Sequence, residues 1–372
     1  MKMNIKQHEG PDAPDKQALL SIKELSVKFG EADSAVLAVN KVSFDVSKGE
    51  TLGIVGESGS GKSVTLLAAL GLLPSPPAHI AGGTVVFEGR DLLKEERSCL
   101  RNIRGKEIGY IFQDPQSSLN PVMKIGDQIA ETLLCHHTNL GKAQVRERVL
   151  ELLTLVNMAD PARLMGQYPH QLSGGMRQRI MIAIAIANNP KLLIADEPTT
   201  ALDVTIQAQV LDLMKKAQKE TGASLILVSH DLGVISQMAS KVIVMYAGEV
   251  IESGSVSDVL DKPLHPYTYG LIDSAPTLDT TIEGIHPIPG QAPNPADMPS
   301  GCHFHPRCKY RRDICRTRKP DYREISDGRH VACHFAGEIL FGDQAFEDQW
   351  QDSPRAGETA EEAQATAVEV GR

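Results

Sequence analysis

No apolar run in this 372-residue chain exceeds eight residues, the length reached at 66–73 and 180–187. A helix needs ~20 apolar residues to cross a bilayer, so no membrane-spanning segment is expected. The first eighteen residues carry Lys2, Lys6, Glu9, Asp12, Asp15 and Lys16 with no apolar stretch behind them. That leaves no secretory signal and predicts a cytoplasmic protein. An excess of positive charge is also missing. The formal net charge is −9, most of it from nine acidic residues set against two basic ones between 335 and 372, and the rest of the chain carries −2. A near-neutral body offers no general electrostatic footprint for nucleic acid. Internal repeats are absent, so each motif occurs once.

What remains is ordinary globular material, 41% hydrophobic and 23% charged, which excludes wholesale disorder and allows two or three domains. Segments 18–27 and 36–46 alternate apolar with polar residues and read as paired strands. The turn Ser47-Lys48-Gly49-Glu50 leads to a buried strand, 51–55, and then a glycine loop, 56–63. A helix is expected over 64–73, stopped by Pro74, Pro76 and Pro77. Further strands are expected at 85–87 and 108–112, and amphipathic helices at 125–135 and 142–156. Strand 191–196, helix 205–219 and strands 224–229 and 241–246 complete an alternating pattern that predicts a largely parallel α/β core. Proline and glycine thicken from Pro263, and 276–299 reads as a linker.

The loop Gly56-Glu57-Ser58-Gly59-Ser60-Gly61-Lys62-Ser63 lies between strand and helix, the context in which its spacing binds nucleoside triphosphate. Its backbone N–H groups and the helix N-terminus suit phosphate, Lys62 reaches the terminal phosphates, and the Ser63 hydroxyl can ligate Mg²⁺. Strand 192–196 ends in two adjacent acids. Asp196 would hold Mg²⁺ through water, and Glu197 could take a proton from the attacking water. The loop Ser173-Gly174-Gly175 precedes an apolar helix expected to start near Arg179; Ser173 reads as its N-cap and the loop as a second anion site.

These residues resemble the ATPase cassette of ATP-binding-cassette (ABC) transporters. The other motifs of that family follow in order, with Gln113 in Phe112-Gln113-Asp114-Pro115, Asp203 in Ala201-Leu202-Asp203, and His230 in Ser229-His230-Asp231. The resemblance implies that Ser173, Gly174 and Gly175 complete the site of a partner cassette. It implies that Gln113 senses Mg²⁺ and the γ-phosphate and faces a membrane subunit, that Asp203 communicates across a dimer, and that His230 contacts the γ-phosphate. It places Phe29, at the end of the first strand, on the adenine ring, against a competing reading as a packing residue. The surrounding residues, among them Ser118-Leu119-Asn120-Pro121, Tyr168-Pro169-His170-Gln171 and His265-Pro266-Tyr267-Thr268, look like those of dipeptide and oligopeptide importer ATPases; nickel importers use related cassettes.

Four of the six cysteines, Cys302, Cys308, Cys315 and Cys333, fall within a short stretch that also holds nine basic and four acidic residues. Four thiolates can hold a [4Fe–4S] cluster or Zn²⁺, and the absence of a C-x₂-C knuckle favours iron–sulfur. The importer resemblance points the same way. The basic patch could offset the cluster's charge or touch phosphate.

The fold expected is a P-loop NTPase ABC cassette with a RecA-like core, an antiparallel β subdomain and a helical subdomain, plus a small Cys-rich extension. The divisions are a polar leader (1–17), the nucleotide-binding domain (18–262, helical subdomain about 116–178), the extension (263–335) and an acidic, disordered tail (336–372). The expected activity is ATP hydrolysis energising a membrane importer of di- or oligopeptides, with nickel or another small solute as the alternative cargo. A soluble ABC ATPase acting on nucleic acid is the competing class, disfavoured by charge and by the absence of long coiled coils. ATP and Mg²⁺ are the expected ligands. Expected partners are a second cassette (a copy or a paralogue), two transmembrane permeases and an extracytoplasmic solute-binding protein, with no nucleic acid, at the cytoplasmic face of the inner membrane.

Overall fold

The computed structural model describes residues 18–30, 35–200, 202–275 and 286–343. The leader at 1–17, the first part of the linker (276–285) and the tail beyond 343 lie outside the described residues. Strands β1 (Ala18–Phe29) and β2 (Val36–Ser47) pair antiparallel and bury alternate residues. A turn closed by the Glu50 N–H on the Ser47 carbonyl delivers the chain to β3 (Thr51–Val55), buried at every position. Helix α1 (Lys62–Ala69) follows and ends four residues earlier than the prolines alone would require. The cause is Gly71 in the left-handed region, with the Arg104 guanidinium donating to the carbonyls of Leu70 and Gly71. Strand β4 (Ala78–Phe87) is longer than the expected 85–87, because its glycine-containing first half pairs with the far end of β1. With β5 (Arg90–Asp91) it completes a four-stranded antiparallel sheet, β2-β1-β4-β5.

Helix α2 (Arg97–Ile103) leads into β6 (Ile108–Ile111), after which comes a helical insert. It comprises α3 (Pro115–Ser118), α4 (Ile125–Leu134), α5 (Lys142–Leu155) and α6 (Pro161–Leu164), and returns to the core through α7 (Gly174–Ile186). Helix α7 begins five residues before the expected Arg179, directly after its cap Ser173, whose Oγ accepts the Met176 N–H at 3.3 Å. The remaining core elements are β7 (Leu192–Asp196), α8 (Val204–Thr221), β8 (Ser224–Val228), α9 (Leu232–Met238), β9 (Lys241–Tyr246) and β10 (Glu249–Ser255). Helix α10 (Val256–Asp261) precedes the extension, which supplies α11 (Pro266–Asp273), α12 (Asp313–Thr317), β11 (Arg323–Ser326) and β12 (Arg329–Val331).

The second sheet has eight strands in the order β11-β12-β10-β9-β3-β8-β7-β6, and the run from β9 to β6 is parallel. Side chains alternate across it with a period of two. Leu52, Ile54, Ile194 and Val228 pack toward α1 and the antiparallel sheet, whereas Val55, Leu193, Ala195 and Leu227 pack toward α7, α8 and α9. Burial on both faces contributes roughly 1.5–3 kcal/mol for each large side chain, and it explains why these strands read as continuous apolar runs. The α/β class, the parallel core, the antiparallel layer and the helical insert are therefore as expected. Among the described residues no helix is long and apolar enough to cross a membrane.

Two further features differ from the sequence expectation. The extension is welded to the core, since β12 pairs with β10 (Glu252↔Val331, Ser253↔His330). The start of the acidic tail is also packed, with Ile339 buried and Phe341 stacked on Tyr269 at 4.7 Å.

Gly109 in β6 marks the tightest helix-to-sheet approach: a Cβ there would lie 2.2 Å from the Ala185 carbonyl oxygen of α7. Gly109→Ala should therefore cost roughly 1–3 kcal/mol by forcing α7 off the sheet. Chemical denaturation checks this, and an unchanged midpoint would refute it.

Candidate functional site

The parallel strands end on one edge, and the candidate site lies there. At the end of β3 the chain turns at Gly56, with φ +149° and room for no side chain, because a Cβ would meet the Met245 carbonyl oxygen at 2.2 Å. Glycine is the only residue that fits. Helix α1 then starts at Lys62 with Gly61 as an N-cap that offers no side-chain acceptor, so its leading N–H groups are available to an anion. The loop from Glu57 to Ser63 lines a concavity together with Gln113 and Glu197. Lys62 is buried, and its ammonium donates to the carbonyls of Gly56 (2.6 Å) and Glu57 (2.9 Å). Burial holds its pKa below the usual lysine value, partly offset by Glu197, Asp196 and Glu57.

Both oxygens of Asp196 are engaged. The Ser63 hydroxyl donates to Oδ1 at 2.9 Å and the Tyr110 phenol to Oδ2 at 3.0 Å. Burial raises the Asp196 pKa, and these two hydrogen bonds oppose that shift. Tyr110, in β6, is pushed far upward by burial and by the Asp196 charge. Glu197 follows with φ +48°, a left-handed conformation that costs about 1–3 kcal/mol in a non-glycine residue and gathers at functional sites. Its Oε2 accepts from Gln113 Nε2 and Thr200 Oγ1, each at 2.9 Å, and lies 3.3 Å from His230 Nδ1. Gln113, Glu197 and His230 come from the ends of β6, β7 and β8, so the strand order itself collects them.

Ser173, Gly174, Gly175 and Asp203 line a separate concavity. Asp203 caps α8 by accepting the Ile206 N–H at 2.9 Å. Phe29 is half-buried against the core beneath the antiparallel sheet and is not among the residues lining the phosphate-loop concavity. Tyr110 and Thr200 escaped the sequence reading. Tyr110 sits in a strand, where a tyrosine reads as packing, and only the β6–β7 pairing brings it to Asp196.

Cys302, Cys308, Cys315 and Cys333 face one small cavity together with Phe304, His305 and His334. Burial raises all four thiols, Cys302 to about 11 and Cys333 to about 12. Among the described residues, no group of three or more His, Cys, Asp or Glu side chains is arranged as it stands to hold a metal ion. The geometry thus lends no support to a preformed iron–sulfur or zinc centre, and what the four cysteines share is a cavity.

The sequence profile described as "ABC transporter" matches residues 39–200, and that of the "Oligopeptide/dipeptide transporter, C-terminal region" matches 251–315. The chain is 49% identical over 315 residues to the oligopeptide transport ATP-binding protein AppD of Bacillus subtilis, covering 85% of this chain and 96% of that one. It is 46% identical over 318 residues to the dipeptide transport ATP-binding protein DppD of Escherichia coli, covering 86% and 97%. Among solved structures, the dimeric post-hydrolysis ATP-binding cassette MJ0796 bound to ADP and Pi superposes with a TM-score of 0.58 at 28% identity, over 64% of this chain and 98% of that one.

The Tyr110 contact yields a pH test. Its hydrogen bond favours ionised Asp196, so Tyr110→Phe should raise the Asp196 pKa further and move the acid limb of nucleotide hydrolysis to higher pH. A pH–rate profile with an unmoved acid limb would remove Tyr110 from the site.

Proposed function

The chain belongs to the ABC transporter family, in the branch that carries the oligopeptide/dipeptide C-terminal region, and from that premise we propose that it hydrolyses ATP to energise a membrane importer of di- or oligopeptides. The observation that carries this reading is the convergence of Lys62, Ser63, Gln113, Asp196, Glu197 and His230 on one phosphate-sized loop, while Ser173–Gly175 open onto a different concavity.

ATP binding and hydrolysis are properties of the family, and the donor set suits Mg²⁺, a hard cation that takes one or two protein oxygens and completes its shell with water and phosphate. Ser63 Oγ and Asp196 Oδ1, 2.9 Å apart, would hold it with Gln113 nearby, and when bound it neutralises charge on the phosphate oxygens. We assign Lys62 and the loop Gly56–Ser63 to the phosphates, with Ser58, Gly59, Ser60 and Gly61 contributing backbone N–H groups and Glu57 lining the loop, its own N–H held by the Tyr267 hydroxyl. Glu197 accepts the proton of the attacking water. Gln113, Thr200 and His230 hold its carboxylate toward the phosphate, and His230 also contacts the γ-phosphate. Ser173, Gly174, Gly175 and Asp203 serve a second cassette, and Phe29 stacks on adenine.

In the same reading, residues 18–262 form the nucleotide-binding domain, with the helical subdomain at about 116–178, and 263–335 form the extension. The partners are a second cassette, two permeases and an extracytoplasmic binding protein, which puts the chain at the cytoplasmic face of the membrane. The four cysteines ligate a [4Fe–4S] cluster, with zinc as the fallback. What supports this is a donor set of four sulfurs around one cavity with no carboxylate in its lining. A bound cluster would tie the four cysteine-bearing segments together at the edge of the shared core.

Glu197→Gln should keep ATP binding but lose turnover by roughly 10²–10⁴, the usual contribution of a positioned base. Lys62→Ala should instead weaken binding itself. Single-turnover hydrolysis at wild-type rate in Glu197→Gln would sink the assignment. For the cysteines, protein purified without oxygen should contain iron and acid-labile sulfide, and Cys308→Ser should lose both. Stoichiometric zinc, or neither element, would overturn the cluster.

A further inference from the structure

The second residue of the phosphate loop is a carboxylate. Glu57 stands where an incoming triphosphate brings its own negative charge, and an uncompensated carboxylate there would oppose binding. The structure supplies the compensation from far along the chain. Arg307, in the short turn His305–Arg307 between Cys302 and Cys308, grips Glu57 with both arms of its guanidinium, Nη1 to Oε2 at 2.8 Å and Nη2 to Oε1 at 2.9 Å. Such bidentate pairs fix geometry as well as charge.

Arg307 is itself held. Its Nε donates to the Pro289 carbonyl at 2.8 Å, and its guanidinium lies 5.8 Å from the ring centres of both Tyr246 and Phe304. Its side chain is only 6% exposed. Tyr267 of α11 adds a second hold, its hydroxyl accepting the Glu57 N–H at 2.8 Å. Tyr246, Tyr267 and Phe304 pack as one aromatic platform, with centroids 4.6 to 5.4 Å apart. Phe304 also lines the cysteine cavity, and Ala292, Pro293, Pro295 and Met298 of the same extension line the phosphate-loop concavity.

We propose that Arg307 is a positioning residue of the nucleotide site: it neutralises and orients Glu57, so that affinity for a nucleoside triphosphate depends on the cysteine-bearing extension. The proposal rests on the placement of ATP at the loop Gly56–Ser63. Removing Arg307 leaves a bare carboxylate beside the phosphates, and removing the Glu57 charge makes Arg307 dispensable for charge. The two substitutions therefore have opposite signs, which a merely structural contact would not produce.

The test is equilibrium binding of a non-hydrolysable ATP analogue and of ADP to the full chain. Arg307→Gln should weaken the analogue roughly tenfold and ADP less, because the penalty scales with phosphate charge. Glu57→Gln should bind the analogue at least as tightly as wild type. The double variant should return to within about twofold of Glu57→Gln. Glu57→Gln carries the test even if Arg307→Gln folds poorly. A loss of affinity in Glu57→Gln equal to that in Arg307→Gln, or equal losses for ATP analogue and ADP, would overturn the proposal. Lys62→Ala separates the two levels of argument: if it weakens binding and Arg307→Gln does not, only the clamp fails, and if it leaves binding intact, the placement of the nucleotide fails and the clamp with it.

Discussion

Strand β3 is the constraint from which the rest of the site follows. It is paired in parallel on both sides, to β9 and to β8, and covered on both faces, so the chain leaving Val55 has only the carboxyl edge of the sheet to turn over. The turn is pinned against β9 by the contact of Gly56 with the Met245 carbonyl. The pairings Val55↔Val244, Ile54↔Val228, Asp196↔Val228 and Ile111↔Ala195 then bring the ends of five strands to one level. The phosphate loop follows β3, Gln113 follows β6, Asp196 and Glu197 close β7, and His230 follows β8. The position of these polar groups is thus a property of sheet register, and a slip of one residue in any strand would turn its contribution to the wrong face.

Much of this was legible because the decisive signals are local. A buried strand followed by a glycine loop and Lys62-Ser63 is contained within thirteen consecutive residues, and an apolar strand closing on Asp196 and Glu197 within six. The contacts that escaped are long-range. Tyr110 meets Asp196 across 86 positions, and Arg307 meets Glu57 across 250. Neither tyrosine in a strand nor arginine in a basic stretch carries a local mark of such a partner. The start of α7 differs from its sequence expectation for another reason: two glycines and two charged residues dilute the helical pattern, whereas the Ser173 cap decides where the helix begins.

The extension shows the same limit at the scale of a domain. Its proline-rich entry and gathered cysteines read as a separate module past a linker. In the fold it adds two strands to the core sheet, and Glu252, fully buried in β10, accepts the N–H groups of Leu264 and His265 and is met by Arg329 at 3.2 Å. A buried carboxylate with that many donors ties the extension to the core, because separating them would strand its charge. The module is an integral wall of the cassette.

The charge arrangement around the loop then has a simple logic. Three carboxylates, Glu57, Asp196 and Glu197, gather about the loop Gly56–Ser63, and each is met by donors other than Lys62: Arg307 for Glu57, Ser63 and Tyr110 for Asp196, and Gln113 and Thr200 for Glu197. Lys62 meanwhile donates to neutral oxygens, the carbonyls of Gly56 and Glu57. A phosphate approaching Lys62 competes with carbonyl dipoles and not with a carboxylate, a much weaker opponent. The site therefore keeps one cation uncommitted by satisfying its acids elsewhere, and two of the groups that do so, Tyr110 and Arg307, lie outside every nucleotide motif in the sequence.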